Sequence, residues 1–298
     1  MNVVYKRGGE QMSGVFELNP YAGLMSDRSI EAAMENGDLF IAPFDSNQLQ
    51  SSGYNLTPTR CFYSTKKRCL LNIVEDQDET YVMIDRNDTV LVRTRESVAV
   101  SMRLAGAFYS KVKIVSSGFG HVSTTLDPGW EGQLLISLNN PTNRKIKFSI
   151  EKMVYGKRIY NSFVTLEFMG LNRETTKKSD NPPGRLDVLE NSLNKNVSCL
   201  KRKGIEDLRI LIATLHQYES ESLEDITLKC LTEAEKNEYN TIYQIQDNLE
   251  FEQELEHFME STKKKHLRKI RMEFSKNAEK SIELVNEYVT KKMKLRSI

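Results

Sequence analysis

One stretch of the chain decides its fold class: Ser116-Ser-Gly-Phe-Gly-His-Val-Ser-Thr-Thr-Leu-Asp-Pro-Gly-Trp-Glu-Gly-Gln-Leu-Leu-Ile-Ser-Leu-Asn-Asn140. It holds two glycine-rich turns, six hydroxyl side chains and the only tryptophan of the protein. Asp127 is followed by Pro and Gly, which favour a turn, and the apolar run from Gly132 to Leu138 predicts a β-strand. The stretch therefore predicts strands joined by turns.

Working outward, further short segments alternate or run apolar between Asp, Asn, Gly and Pro residues. They are Tyr81–Ile84, Thr89–Arg93, Ser97–Met102, Lys111–Val115, Lys145–Ile150 and Phe163–Phe168. Of the 15 Gly and seven Pro, 13 and five lie in residues 1–170. Many short strands with turn signals about every ten residues predict a mainly β N-terminal domain, built as a sandwich, jelly roll or barrel.

One short helix is expected inside this β region, between Ser26 and Gly37. Ser26 is a good N-cap residue, and the apolar side chains of Ile30, Ala33 and Met34 recur at helical spacing. Gly37 stands where such a helix would end.

After Gly204 the next 94 residues contain neither Gly nor Pro, which predicts an almost wholly helical region. Apolar residues recur there at steps of three and four: Ile242, Ile245, Leu249, Leu267, Ile270, Phe274, Ala278, Ile282, Val285 and Val289. Thr232 and Glu235 form the pattern of a capping box. We expect an all-α C-terminal extension, a helical hairpin or coiled coil.

The charges of this extension are segregated. Residues 247–260 carry six acids and no base, whereas residues 263–296 carry 12 bases and four acids. Opposite charges on successive helices favour an antiparallel hairpin or pairing with another subunit. A surface for a different protein partner and a nucleic-acid surface are the alternatives. The adjacent acidic run and the lack of interleaved aromatic residues do not favour nucleic acid.

Composition and punctuation together divide the chain into four parts. The polar segment Asn172–Gly184 ends in Pro-Pro-Gly, which no helix or central strand tolerates, and it predicts a linker. We expect an N-terminal arm at 1–23, a β domain at 24–170, the linker at 171–184 and a helical domain at 185–298.

The totals exclude several classes of protein. The 42 Lys and Arg balance 41 Asp and Glu, so no global field would attract nucleic acid or an anionic membrane. No apolar run is long enough to span a bilayer and no signal-peptide pattern opens the sequence, so a cytoplasmic protein without membrane contact is expected. The four Cys show no metal-binding or disulfide spacing, which predicts reduced, buried thiols.

Within the opening stretch, two kinds of chemistry are conceivable from the residues alone. The small residues Ser116, Ser117 and Gly118 would let backbone N–H groups approach an anion such as phosphate, although such turns between strands are ordinary. Asp127 is either a turn residue or a general base that activates water. His121 is either a hydrogen-bonded turn histidine or a contact to a phosphate or base.

These residues carry a resemblance to a known family. The segment Thr124–Asn139 resembles the third signature of the trimeric dUTPase and dCTP deaminase superfamily. Met25–Asp45 is similar to the N-terminus of dCTP deaminases, and Gln50–Thr57 matches the motif that follows it. The three motifs occur in the family's order and cover residues 24–170, whereas the helical extension lies outside the resemblance.

The resemblance implies a distorted β-barrel or jelly roll that forms a homotrimer and binds a deoxynucleoside triphosphate at subunit interfaces. Asp127 falls at the aspartate that activates the attacking water, and Trp130 at the aromatic residue that packs on the deoxyribose. The hairpin that includes Thr124 and Thr125 would offer backbone groups to the pyrimidine. Ser116, Ser117 and Gly118 resemble loosely the phosphate-binding motif, and His121 adjoins it.

The sequence also departs from the family pattern. No arginine precedes the candidate phosphate motif, where Lys111 or Lys113 could partly replace a charge-assisted pair. Ser137 stands where the deaminase has its catalytic glutamate, and a hydroxyl cannot replace a carboxylate as proton shuttle at neutral pH. Asn55 occupies the position of the motif's aspartate, and the resemblance places it among the substrate-binding residues. After Gly170 the linker follows in place of a glycine-rich tail.

Three functions remain open. The first is a catalytically degenerate deoxypyrimidine-nucleotide-binding protein that acts as a binding or assembly module, with its helices available to a protein partner. The second is an active dUTPase-like pyrophosphatase that uses Asp127, with Mg²⁺ held mainly by the substrate phosphates. The third, a dCTP deaminase, is the least favoured because of Ser137.

Overall fold

The structure is a computed structural model that describes residues 6–7, 10–11, 19–177, 181, 185–194, 209–216 and 221–296. The Pro-Pro-Gly of the predicted linker and Cys199 lie outside these residues. Cys61 and Cys230 are buried and Cys69 is half-buried, and none of these three described cysteines forms a disulfide.

The first part of the chain folds into curled β-sheets, as the strand pattern predicts. Its strands are β1 Lys6–Arg7, β2 Glu10–Gln11, β3 Gly23–Leu24, β4 Leu39–Ala42, β5 Leu49–Gln50, β6 Gly53–Leu56, β7 Pro58–Ser64, β8 Cys69–Leu70, β9 Ile73–Glu75, β10 Glu79–Ile84, β11 Asp88–Val100, β12 Leu104–Ser110, β13 Ser123–Leu126, β14 Glu131–Asn140, β15 Ile146–Val154, β16 Lys157–Tyr160 and β17 Val164–Gly170.

Three antiparallel sheets enclose the core of this domain. Their strand orders are β14-β11-β7-β8 with β4 added beside β11, β13-β12-β17-β6-β5, and β16-β15-β10-β9. The ring of Phe148 lies 5.4 Å from that of Phe62 and 6.0 Å from that of Phe163, measured between centroids. These aromatic contacts join residues far apart in the sequence into one core.

The predicted short helix is confirmed as α1, Asp27–Asn36. The Ser26 hydroxyl accepts a hydrogen bond from the Ser29 N–H, and Gly37 ends the helix at φ 81°. Ile30 and Ala33 are buried against the β domain. Local capping and spacing therefore specify this helix completely.

The predicted strand Lys111–Val115 is wrong, because these residues begin a short helix, α2, Val112–Ser116. Ile114 is buried, whereas Val112 is 83% exposed. The alternation of Lys and β-branched residues mimics a strand over five residues. Contacts with the rest of the domain override this weak local preference.

The C-terminal region is helical, as expected. Its described helices are α3 Leu186–Asn194, α4 at residues 209–216, α5 Leu223–Cys230, α6 Glu233–Ile242 and α7 Asn248–Arg296. The acidic and basic runs do not lie on successive helices, because both belong to the 49-residue helix α7. None of the described helices has the length and apolar character that crossing a membrane requires.

The predicted apolar stripe of α7 packs on the β domain. Ile270, Phe274 and Ala278 join Phe40 in one hydrophobic cluster, with the Phe40 and Phe274 rings 5.6 Å apart. Val285 extends the stripe into the main core of the β domain. The helical region and the β domain therefore share buried apolar surface.

A helical hairpin does form, between α6 and α7. Contacts pair Tyr243 with Phe251 and Tyr239 with Phe258, so the two helices run antiparallel. The capping box of Thr232 and its partner three residues later is present as predicted. The hairpin therefore pairs α7 with α6, whose first turn is acidic. The acidic run that was predicted to form a separate helix lies on α7 itself, together with the basic run.

Residues on either side of the predicted domain boundaries also lie against the β domain. Tyr21, assigned to the N-terminal arm, is buried in the core, and Ala22 forms a bridge with Gly170. In the predicted linker, the Thr175 N–H donates to the Met102 carbonyl.

Candidate functional site

The turn between β13 and β14 has the geometry that Asp-Pro-Gly favours. The Trp130 N–H donates to the Asp127 carbonyl at 3.2 Å, and Gly129 has φ 70°. Pro128 at the second position and a glycine of positive φ at the third match a type II turn. The turn places Asp127 at the end of one strand and Trp130 at the start of the next.

The Asp127 carboxylate is half-buried and contacts the segment that precedes the helical region. Its Oδ2 accepts a hydrogen bond from the Asn181 amide at 3.2 Å. Asn181 belongs to the segment predicted as a linker, so this segment reaches back to the turn. The role of Asp127 in activating water stays a prediction.

Trp130 lies inside the domain. Its side chain is only 6% exposed and belongs to the main hydrophobic core, and its Nε1 donates to the Gly132 carbonyl at 3.2 Å. The Trp130 carbonyl in turn accepts from the Val100 N–H. The indole therefore anchors the turn to the core, and packing on a deoxyribose stays a prediction.

Strand β13 presents an open edge beside this turn. It lies at the end of its sheet, and among the described strands it pairs with β12, Phe108 facing Thr124 and Ala107 facing Thr125. Both threonines and His121 are exposed. Outward backbone N–H and C=O groups of an edge strand can bind a ligand that presents complementary groups.

The hydroxyls of the predicted phosphate motif are used locally. Ser116 and Ser117 lie at the end of α2, and their Oγ atoms donate to the Lys113 carbonyl at 3.2 and 2.6 Å. Gly118 adopts φ 103° to leave the helix. The two hydroxyls are thus used within α2 and do not form an anion cradle in this structure.

A different serine holds the hairpin together. The Ser110 Oγ accepts a hydrogen bond from the Val122 N–H at 2.6 Å, which ties the end of β12 to the segment that leads into β13. Sequence reasoning did not single out Ser110. Ser110 directly precedes the segment that was wrongly predicted as a strand, and its partner lies 12 positions away.

Two lysines next to Ser110 form a basic cluster. Burial lowers the pKa of Lys111, and the neighbouring Lys113 lowers it further. Burial also lowers the pKa of Lys113, with a smaller contribution from Lys152, while its Nζ donates to the Asn161 side chain. Because these ammonium groups repel one another, an anion bound between them would be stabilised.

The part of the chain that contains the Asp127 turn matches a known kind of domain. A family model described as dCTP deaminase-like matches residues 24–153, from β3 into β15. This chain carries a dCTP deaminase-like domain. This match and the dCTP deaminase relatives bear out the resemblance to the dUTPase and dCTP deaminase superfamily that the three sequence motifs carry.

Relatives of the dCTP deaminase-like domain include enzymes from bacteria and archaea. The dUMP-forming dCTP deaminase of Corynebacterium glutamicum is 29% identical over 137 residues, 41% of this chain and 72% of the relative. The dCTP deaminase of Pyrococcus horikoshii is 26% identical over 134 residues, 45% and 77% of the two chains. The crystal structure of the Agrobacterium tumefaciens enzyme has a TM-score of 0.37 at 14% identity, covering 50% of this chain and 48% of that chain.

The dCTP deaminase-like domain has a hydroxyl where the resemblance calls for the catalytic glutamate. Ser137 lies on β14, is exposed, and faces Leu91 across the strand pair. Its neighbours on the same strand face are Leu135 and Asn139. None of these neighbours can shuttle a proton at neutral pH.

Asn55 lies apart from the Asp127 turn. It is buried on β6, and its Oδ1 accepts a hydrogen bond from the Thr165 hydroxyl at 2.9 Å. Strand β6 is separated from β12 by β17. Asn55 therefore holds two strands of the domain together, and its part in nucleotide binding stays a prediction.

The helical region contacts the strand that follows the turn. The Glu131 Oε2 accepts a hydrogen bond from the Leu223 N–H at the start of α5, at 2.8 Å. The Gln133 Oε1 accepts from the Arg93 Nε at 2.6 Å and from the Ser281 hydroxyl of α7 at 3.1 Å. Sequence reasoning missed both contacts, because their partners lie some 90 to 150 positions away.

Acidic side chains near the turn do not form a metal cage. Within the described part of the chain, no three His, Cys, Asp or Glu side chains are placed to hold a metal ion. Glu131 already accepts the hydrogen bond from α5. Mg²⁺ held mainly by substrate phosphates stays a prediction.

Proposed function

We propose that the protein binds a deoxypyrimidine nucleotide at the open edge formed by β13 and the Asp127 turn, without deaminating it. One observation carries the proposal: the edge of β13 is open beside the Asp127 turn, while position 137 offers a hydroxyl opposite Leu91. The domain would then act as a nucleotide-binding or assembly module, and its helices would be available to a protein partner.

The ligand class rests on two complementary features. Backbone groups of the edge strand suit the hydrogen-bonding edge of a pyrimidine, and relatives named dCTP deaminases support a deoxycytidine nucleotide. Lys111 and Lys113 suit the phosphates. Burial and, to a smaller extent, repulsion from Lys113 lower the pKa of Lys111, and an anion would relieve that repulsion. Two lysines supply point charges without the fork geometry of an arginine, so we expect modest affinity.

Hydrolysis of the nucleotide is the second candidate. The half-buried Asp127 carboxylate at the end of β13 favours it, because a carboxylate beside the phosphates could orient and deprotonate water. Mg²⁺ held by the phosphates would stabilise the developing charge when bound. Asn181 must release the carboxylate for that role.

Incubation of the full chain with dUTP or dCTP and Mg²⁺ separates the candidates, with pyrophosphate, ammonia and binding measured together. Binding by calorimetry without either product is the expected result. Pyrophosphate release that disappears in Asp127→Asn would support hydrolysis, and ammonia release would support deamination. Asp76→Asn, in an exposed turn elsewhere, is the matched control. Absence of binding at about 1 mM nucleotide would contradict the ligand class.

A homotrimer assembled through the β domain is part of the same proposal. The open edge of β13 and the exposed Tyr109 beside it, 41% exposed, are compatible with coverage by a neighbouring copy. Light scattering of the full chain during size exclusion would give three times the 34.3 kDa of one chain. A monomer at about 10 μM would contradict the trimer.

A further inference from the structure

A cavity separate from the Asp127 turn lies on the β domain, beneath the hairpin of β15 and β16. Its volume is about 640 Å³, and its lining includes Thr57, Arg95, Glu96 and Tyr160. None of its lining residues belongs to the Asp127 turn. We call it the Glu96 cavity.

A bulge in β11 builds this cavity. Arg93 pairs with Leu135 of β14 and Ser97 pairs with Gln133, so three residues of β11 face one residue of its partner. The Thr94 hydroxyl replaces the missing ladder bonds, because it donates to the Glu96 carbonyl and accepts from the Leu134 N–H. Bulges redirect side chains, which explains how two successive residues can line one cavity.

Glu96 contributes a buried carboxyl group. It is 2% exposed, and its two oxygens accept hydrogen bonds from the Thr57 N–H at 2.9 Å and the Thr57 hydroxyl at 2.5 Å. Within the described residues, Glu96 forms no salt bridge. Burial raises the pKa of Glu96 to about 7 despite these two hydrogen bonds.

Arg95 contributes a fixed guanidinium. It lies 3.4 Å from the centroid of the Tyr160 ring, so the ring holds it in place. Its Nε is buried, and no acceptor among the described residues receives a hydrogen bond from it. Buried polar atoms are almost always paired in proteins, so this donor is available to an acceptor group of a ligand in the cavity.

Arg95 and Glu96 are successive residues that line the same cavity, so one ligand carrying two opposite charges could contact both. The planar fork of Arg95 matches a carboxylate, and the Glu96 carboxylate matches an ammonium. Pro43, Val154 and Ile159 add apolar surface to the lining. We propose that the Glu96 cavity binds a free α-amino acid with an apolar side chain, its carboxylate on Arg95 and its ammonium group on Glu96.

Calorimetry with three ligands tests this proposal on the full chain at about pH 8, where Glu96 is mostly ionised. L-phenylalanine should bind with a Kd below about 1 mM. N-acetyl-L-phenylalanine lacks the ammonium, and 2-phenylethylamine lacks the carboxylate but stays protonated at this pH. Each should bind at least about tenfold more weakly, as loss of a charge-assisted hydrogen bond predicts. Equal affinity for all three ligands, or no phenylalanine binding at about 10 mM, would overturn the proposal.

The variant Glu96→Gln sharpens the assignment. It should weaken phenylalanine about tenfold or more and leave the affinity for the N-acetyl derivative unchanged, because only the ammonium uses the charge. Glu279→Gln, on the exposed face of α7, is the matched control and should change neither. An unchanged affinity for phenylalanine in a folded Glu96→Gln protein would contradict the assignment. If this variant melts early, the three-ligand series on the unmodified chain decides. Because the cavity and the Asp127 turn are separate, these outcomes are independent of nucleotide binding.

Discussion

Glu96 in the β domain and Glu235 in the helical region receive the same two kinds of hydrogen bond, yet their pKa values shift in opposite directions. Each carboxyl accepts from the N–H and the hydroxyl of one threonine, Thr57 for Glu96 and Thr232 for Glu235. Burial raises the pKa of Glu96 to about 7. The Lys265 ammonium, followed by the two Thr232 bonds, lowers the pKa of Glu235 well below its usual range.

Depth and cations account for the difference. Glu235 lies at the start of α6 against α7, where Lys265 donates at 2.6 Å and the His266 ring lies 2.9 Å away. Glu96 lies inside the bulge of β11, where burial is the dominant influence on its pKa. Two hydrogen bonds therefore do not offset deep burial of a carboxylate, whereas a nearby ammonium reverses the shift at Glu235, which is itself only 7% exposed.

The largest expected effect comes from removing the charge of Glu96. The pKa rises from about 4.3 in an unfolded chain to about 7 in the folded protein, so the free energy of unfolding falls by about 4 kcal/mol between these pH values. This stability is present below about pH 4.3 and is lost as pH rises through 7. Glu96→Gln should flatten the decline in the free energy of unfolding by this amount.

Urea denaturation at a series of pH values measures this effect. Glu279→Gln, which removes an exposed carboxylate from α7, should keep the decline of the unmodified chain. A decline of equal size in Glu96→Gln would mean that Glu96 is already ionised near pH 5 and that the contrast with Glu235 is wrong.

A middle-sized effect should follow from removing the hydroxyl of each threonine. Thr57→Val leaves a buried carboxyl with one donor fewer and should cost about 1–3 kcal/mol. Thr232→Val removes the N-cap of α6 and should cost about 1 kcal/mol. Thermal and urea unfolding compare the two variants. A larger cost for Thr232→Val would show that the N-cap of α6 contributes more to stability than the hydrogen bond from the Thr57 hydroxyl to Glu96.

The sequence predicted features that depend on neighbours in the chain. The caps at Ser26 and Thr232 are local, so residue type and spacing were sufficient to place α1 and the start of α6. The stripe through Ile270 and Val285 was also predictable, because burial of one helix face needs only a period. For the same reason, the Asp127-Pro-Gly129 turn was predictable.

Features that depend on distant partners were not predictable. Glu96 meets Thr57 from 39 positions away, and a bulge that requires both β7 and β14 buries the pair. The segment Lys111–Val115 has the pattern of a strand but folds as α2 within the domain. The two charge runs suggested two helices, because the sign of the charge changes between them. No Gly or Pro stands there to show whether a helix ends, and both runs belong to α7.

The smallest effect concerns the loss of stability at acid pH that depends on Glu235. Because its folded pKa is depressed, its contribution is present above about pH 4.3 and is lost as pH falls below that value. Lys265→Ala removes the largest cause of the depression, so it should reduce the loss of stability between about pH 4.3 and 2. Lys264→Ala is the control, since Lys264 pairs with Glu260 in an exposed contact one residue earlier on α7. An equal loss of stability at acid pH in both variants would assign the lowered pKa of Glu235 to Thr232 and His266. The contrast with Glu96 would then rest on depth alone.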